Sequence, residues 1–323
     1  MYDVVFRSFK QFEVNKKLKP TSLAPKFYKS NLEYKSEILV LENLASSNYK
    51  MYQATKVMDA KHVSVVLEKY ARLHALGFAL RDQNITKFEE ITNAMNEMFI
   101  KFLKNGNYIK AVKHIALKSL TSLREDVDTK AYKIYKNHII NIDKIFDDLR
   151  NAANDDYTAI VHGDGWTNNM MFQYDDLNDP TKPTSVRFID FQLARLGPPV
   201  LDLAFFLYTC SEKKVIEALE DYLRLYYNSL VAHLVKLGSD PDKVYPYSIF
   251  LKQWRKYAKL GFTLAITVIY ILLTDESEAV DLNSVAETGA PLGDAFDYEI
   301  AKSDLYYDRV RHIILHCVEK EFM

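Results

Sequence analysis

The run from Val161 to Leu207 constrains this chain more than any other: VHGDGWTNNMMFQY, a polar gap, then RFIDFQLARLGPPVLDLAFFL. Two short apolar segments, Met170–Tyr174 and Val186–Ile189, read as strands separated by the turn-rich stretch Asp175–Ser185. Each carries a polar residue at the same end, Asn169 before the first and Asp190 after the second. An antiparallel pairing would bring these two side chains together. His162 and Asp164 would then sit on the loop that enters the hairpin. Any fold for this chain must place such a small sheet inside sequence that is otherwise helical in texture.

The flanking sequence supplies that texture. Residues 1–18 read as a helix with Val4, Val5, Phe9 and Phe12 as its apolar positions. Ala24–Tyr28 and Glu37–Leu41 read as two strands of a hairpin around a polar turn. After Leu44 the pattern turns to helices. Asp59 is an N-cap for a long helix carrying Val63, Val66, Leu67, Tyr70, Leu73 and His74. Further amphipathic segments fall at 86–104, 108–124 and 129–152, with a third short strand at Thr158–Val161. Beyond residue 200 the chain is helical again, broken near Gly238–Pro246 and at Asp275–Asp294. A hairpin, many helices and a small sheet bearing the polar residues make an α+β fold.

The polar residues point to one chemistry. Amide and carboxylate oxygens, here Asn169 and Asp190, suit a hard cation such as Mg²⁺. A free carboxylate just outside, Asp164, can accept the proton of an attacking hydroxyl. Phosphoryl transfer from ATP needs both parts. A zinc centre on His162 and Asp164 lacks a third ligand at a usual spacing. No GxSxG is present for a serine hydrolase. His312 and His316 lie four apart and read as an ordinary pair. Trp166 can touch a substrate or pack the loop, and Trp254 with Tyr257 reads as core.

A net charge of −1 gives no ground for a nucleic-acid partner. The two cysteines, Cys210 and Cys317, lie in apolar helical patterns and read as buried thiols, from which a cytoplasmic location is expected. The N-terminus has no signal-peptide pattern. The longest apolar run, Leu260–Leu273, has 14 residues, short of the ~20 that span a bilayer, so no membrane span is expected.

The arrangement resembles the protein-kinase-like phosphotransferases that act on small molecules, such as aminoglycoside and choline kinases, and HGDGWTNNMMF followed by FIDFQLARLGPPVLDLAFFLY resembles more closely the ecdysteroid-kinase-like proteins of arthropods, which share the CHK-type kinase domain. LVLENL at Leu39–Leu44 resembles that family's hinge, with Asn43 in place of an Asp; Leu73-His74-Ala75 and Asp202 also agree. The resemblance implies a protein-kinase-like fold with ATP and Mg²⁺ as cofactors and a small lipophilic hydroxylated substrate. It implies Asp164 as base, Asn169 and Asp190 as metal ligands, and backbone groups of Val40, Leu41 and Glu42 against the adenine. His162 would brace the loop, and Asp202 and His74 would be structural. Residues 1–44 would be the remnant of an N-terminal lobe, with 45–323 a mainly helical C-terminal lobe.

One departure stands out. The resemblance leads one to expect a glycine-rich loop, a strand lysine and a helix glutamate upstream of the hairpin, and no GxGxxG-like segment precedes Leu39. Lys10, Lys16 and Lys17 lie on or beside the first helix. The N-terminal lobe is thus expected to be incomplete, with a fragment of a longer kinase as the favoured reading. The alternative is a truncated, catalytically impaired protein that only binds a small ligand or partner.

Overall fold

The computed structural model describes residues 1–95, 98–104, 107–176, 178–275, 277–278 and 298–323. Most of the stretch Asp275–Asp294 lies outside the described residues. The first helix, α1, runs Val5–Asn15 and buries Val5 and Phe9, while Val4 stays outside. The expected hairpin forms as β1 (Phe27–Asn31) and β2 (Ile38–Leu41), antiparallel with Asn31 opposite Ile38. Its turn includes Lys35 with a positive φ of 64°.

Asp59 caps α2 (Ala60–Gln83) as its sequence position predicts, accepting the N–H groups of Lys61 and His62. This helix is buried along nearly its whole length and forms the centre of the fold. Against it pack β4 (Ala159–Val161), β6 (Pro183–Phe188) and α10 (Leu219–Leu237). The region 86–104 forms two helices, α3 (Ile85–Asn93) and α4 (Met98–Lys104). Next comes α5 (Asn107–Leu120). The segment 129–152 also breaks into two, α6 (Thr129–Ile140) and α7 (Ile142–Arg150), at Asn141, whose backbone leaves helical values.

Two strands escape the sequence pattern. β3 (Tyr49–Met51) pairs with β5 (Met170–Tyr174), and β5 pairs with β6, giving the order β3-β5-β6. β7 (Arg195–Gly197) pairs with β4. Both are three residues long, too short to show a period of two.

The remaining helices are α8 (Val200–Cys210), the short α9 (Lys213–Glu217) and α11 (Pro241–Val244), α12 (Tyr247–Leu273) and α13 (Ser303–Glu319). The apolar run seen in sequence is only the second half of α12. The whole helix is long and apolar enough to cross a membrane, yet 72% of that apolar window is buried inside the fold. It lies along α8 so closely that a Cβ on Gly261 would come within 2.4 Å of the Ala204 side chain. Only glycine permits that approach. Trp254 and Tyr257 are core residues, as are Cys210 and Cys317, both free thiols.

Candidate active site

The hairpin β5–β6 does what its polar ends predict. Met170 stands opposite Phe188, and the Ile189 N–H donates to the Asn169 carbonyl at 3.0 Å, so Asn169 and Asp190 flank the same end of the ladder. Asp190 takes a left-handed backbone, φ 57°. Such a conformation at a non-glycine residue is uncommon and clusters where a side chain must be aimed. The Asp190 side chain is exposed, and one of its oxygens accepts the Gln192 N–H at 3.4 Å.

Asp164 is half-buried beside them. The Asn169 amide nitrogen donates to the Asp164 carboxylate at 3.0 Å and to its carbonyl at 2.8 Å. Burial, reinforced by the neighbouring Asp190 carboxylate, pushes the Asp164 pKa up to about 6, although Asn169 and Arg195 draw it back.

His162 acts on the loop rather than on the open site. Its ring is fully buried, which lowers its pKa and keeps it neutral. Nε2 bonds the Ile189 carbonyl at 3.0 Å, and Nδ1 accepts the Asp164 N–H at 3.3 Å. Asp202 holds the same loop from α8, accepting the N–H groups of His162 at 2.7 Å and Gly163 at 2.8 Å. His74 completes the arrangement on α2. Its Nε2 meets Asp202 at 3.2 Å, and its Nδ1 meets the Tyr226 hydroxyl at 2.8 Å. Gly163 has φ 80°, and a Cβ there would sit 2.2 Å from the Leu193 carbonyl oxygen.

A pocket of about 700 Å³ opens beside Asp190. Leu39, Leu41, Glu42, Met171 and Ile189 line it. Val40 does not line it, because alternation along β2 turns its side chain to the other face. The Glu42 N–H is taken by the Lys26 carbonyl at 2.8 Å, and its carboxylate pairs with Arg187.

Three contributors have no clear sequence signal. Phe191 stacks against His162, with centroids 4.4 Å apart, and receives Phe6 and Tyr2 edge-on, tying α1 to the loop. The repeat FIDF marks Phe191 only in hindsight. Tyr2 stands too far from the motif in sequence to be found by spacing, and Arg195, though inside the motif run, carries no pattern that assigns it a role. Trp166 packs half-buried against the core. His312 and His316 form no metal site, and among the described residues no cluster of three or more His, Cys, Asp or Glu is arranged to hold a cation.

A loop carboxylate, an amide and a second carboxylate lie at one end of a hairpin beside an apolar cleft, the residue types that phosphoryl transfer employs. The chain belongs to the ecdysteroid kinase-like family, whose model matches residues 1–239. No curated protein matches the sequence. Among solved structures it is similar to an ethanolamine kinase of Plasmodium vivax, at 12% identity and TM-score 0.40, covering 100% of this chain and 75% of that one. It is also similar to a choline kinase of Cryptosporidium parvum, at 11% identity and TM-score 0.42, covering 99% and 80%.

Proposed function

We propose that this protein transfers the γ-phosphoryl group of ATP to a hydroxyl of a small lipophilic molecule, an ecdysteroid or another hydroxylated apolar compound, with Mg²⁺ as the cation. The observation that carries this reading is the Asp164 carboxylate, half-buried, bonded to Asn169 and shifted to a pKa of about 6. A carboxylate poised there can take the proton of an alcohol as the phosphoryl group moves.

Asn169 spends its amide nitrogen on Asp164, which leaves the amide oxygen for a cation; Asp190 offers an exposed carboxylate. This pair fits Mg²⁺, which commonly takes one or two protein oxygens and completes its shell with phosphates and water. Bound there, the ion would neutralise charge on the phosphates. Leu39, Leu41 and Glu42 would receive the adenine in the 700 Å³ pocket. His162 and Asp202 position the loop without touching substrate. Residues 1–44 roof the nucleotide cleft, and residues 45–323 supply its floor and the acceptor side.

Labelled ATP offered with Mg²⁺ and a panel of ecdysteroids tests the reading. Label should enter the steroid only when Mg²⁺ is present, and Asp164→Asn should abolish transfer. Transfer that survives Asp164→Asn overturns the assignment of the base. Steroid capture that is indifferent to Mg·ATP, with no transfer, makes the chain a binding protein instead.

A further inference from the structure

A second cavity, of about 590 Å³, lies toward the far end of the β5–β6 hairpin from Asn169 and Asp190, against α2 and the last turns of α10. Gln173 and Ser185, on the hairpin side, line it. Its charged lining is one-sided. Lys19, Lys69, Arg72, Arg187 and Lys236 face it with His233, and Glu13 is the only acid in the lining.

Glu13, which also attracts Arg72, is the one acid in the lining set against these cations. Glu13 is turned to Thr21, whose N–H donates to it at 2.8 Å and whose hydroxyl donates at 2.6 Å. The Leu237 carbonyl at the end of α10 is capped by the Gln83 amide at 3.0 Å. Lys69 is 93% buried by its 7% exposure, and its ammonium bonds the Ser22 carbonyl at 2.9 Å with no carboxylate in an ion pair. Arg187 pairs with Glu42 through Nη1 and stacks over Tyr49, yet its buried Nε has no partner; the buried Nε of Arg72 has none either.

Gathering cations in this way costs stability unless an anion arrives. The neighbours register the strain. Burial, with Arg72 and Arg187 adding to it, lowers the Lys69 pKa to about 8. Burial together with Arg72, Lys236 and Lys69 drives His233 down to about 4. A cavity lined by guanidinium and ammonium groups matches the oxygens of phosphate, which arginine reads as a fork and lysine as a point charge.

We propose that this cavity binds a phosphate-type oxyanion, either the free ion or the phosphomonoester head of a small molecule, through Lys69, Arg72, His233 and Lys236. The volume exceeds what a bare phosphate fills, leaving space for an organic group on the ester. The site does not use the Asp164 cluster, so it stands or falls separately from the phosphotransfer reading.

Calorimetric titration of the purified chain with inorganic phosphate and with glycerol 3-phosphate tests it, using sodium chloride of equal ionic strength as the blank. Saturable binding of either phosphate is expected, weakened about tenfold or more by Arg72→Gln and by Lys236→Gln, since each removes one charged donor. Lys236 is exposed, so its variant keeps the fold and the test stands even if Arg72→Gln does not. Tighter binding of glycerol 3-phosphate identifies an ester as the ligand class; equal binding identifies the free ion. Heat no greater than with chloride, or binding that survives both substitutions, overturns the proposal.

Discussion

The Asp202 carboxylate accepts the His162 N–H at 2.7 Å, bridging 40 residues of sequence and clamping the loop that carries Asp164 to helix α8. Its other oxygen takes the Gly163 N–H, and His74 approaches from α2. A buried carboxylate with such partners orders backbone that would otherwise be loose, because each lost partner would leave a buried donor unpaired. The loop is thus set by groups that never meet substrate.

Asp202→Ala should therefore destabilise strongly, by roughly 3–5 kcal/mol, since it leaves buried donors without an acceptor. Denaturant unfolding measures the loss. The pH dependence has a definite sign. Burial pushes the Asp202 pKa up, but His74 and the loop amides outweigh it and hold the native value below the ordinary 3.8. Its contribution is present above that value and is lost as pH falls through the native one. The acid limb of the parent's stability curve should flatten below pH 4 in the variant.

Asp164→Asn should behave in the opposite way. The native pKa of about 6 lies above the ordinary 3.8, so the folded state binds this proton more tightly than the unfolded one. Ionised Asp164 costs stability above pH 6, and the cost vanishes as pH falls through 6 toward 3.8. At pH 7 the variant should gain up to about 3 kcal/mol. A melting temperature that rises while transfer disappears would separate function from folding. An unchanged or lower melting temperature would contradict the burial argument.

Transfer by the parent chain should rise with pH through an inflection near 6, as Asp164 loses its proton. The Asp190→Asn variant offers a check, because the Asp190 carboxylate contributes to the raised value. Without Mg²⁺, the Asp164 carboxyl resonance of this variant should titrate at lower pH than that of the parent chain.

Gly163→Ala should cost at least about 2 kcal/mol, combining a positive φ with a Cβ 2.2 Å from the Leu193 carbonyl. Thermal melting reads this directly. Serine at the same position should be no better, since the obstacle is the Cβ itself.

The β1–β2 hairpin leaves Leu32, Tyr34, Ile38, Leu39 and Val40 exposed. A two-stranded ribbon with an apolar surface is a docking and aggregation hazard. The purified chain should bind a hydrophobic dye, and Leu32→Lys with Ile38→Lys should reduce both dye fluorescence and light scattering. Dye binding at the level of an ordinary protein surface would refute this.

Much of the site was legible because its residues are close in sequence. His162, Asp164 and Asn169 share one loop, and Asp190 follows one hairpin later, so strand pairing alone brings them together. The α2 cap at Asp59 and the β1–β2 hairpin were legible for the same local reason. For the Val40–Glu42 segment, sequence names the stretch, whereas alternation along the strand decides that the side chains of Leu39 and Leu41, not Val40, line the pocket. β3 and β7 were missed because three residues carry no period. The breaks after residues 93 and 140 were missed because amphipathic spacing continues across a change of helix axis.

The sequence by itself determined the family, the helical and strand periodicities and the order of the polar residues, since those depend on covalent neighbours and repeat lengths. Only the tertiary structure decided that Asp202 and His74 hold the loop, that Phe191 receives α1, and that Lys69, Arg72, His233 and Lys236 surround one cavity. Those relations join residues tens to more than a hundred positions apart. They arise from how α2 packs against α10 and the sheet, and burial then fixes the charge of each group.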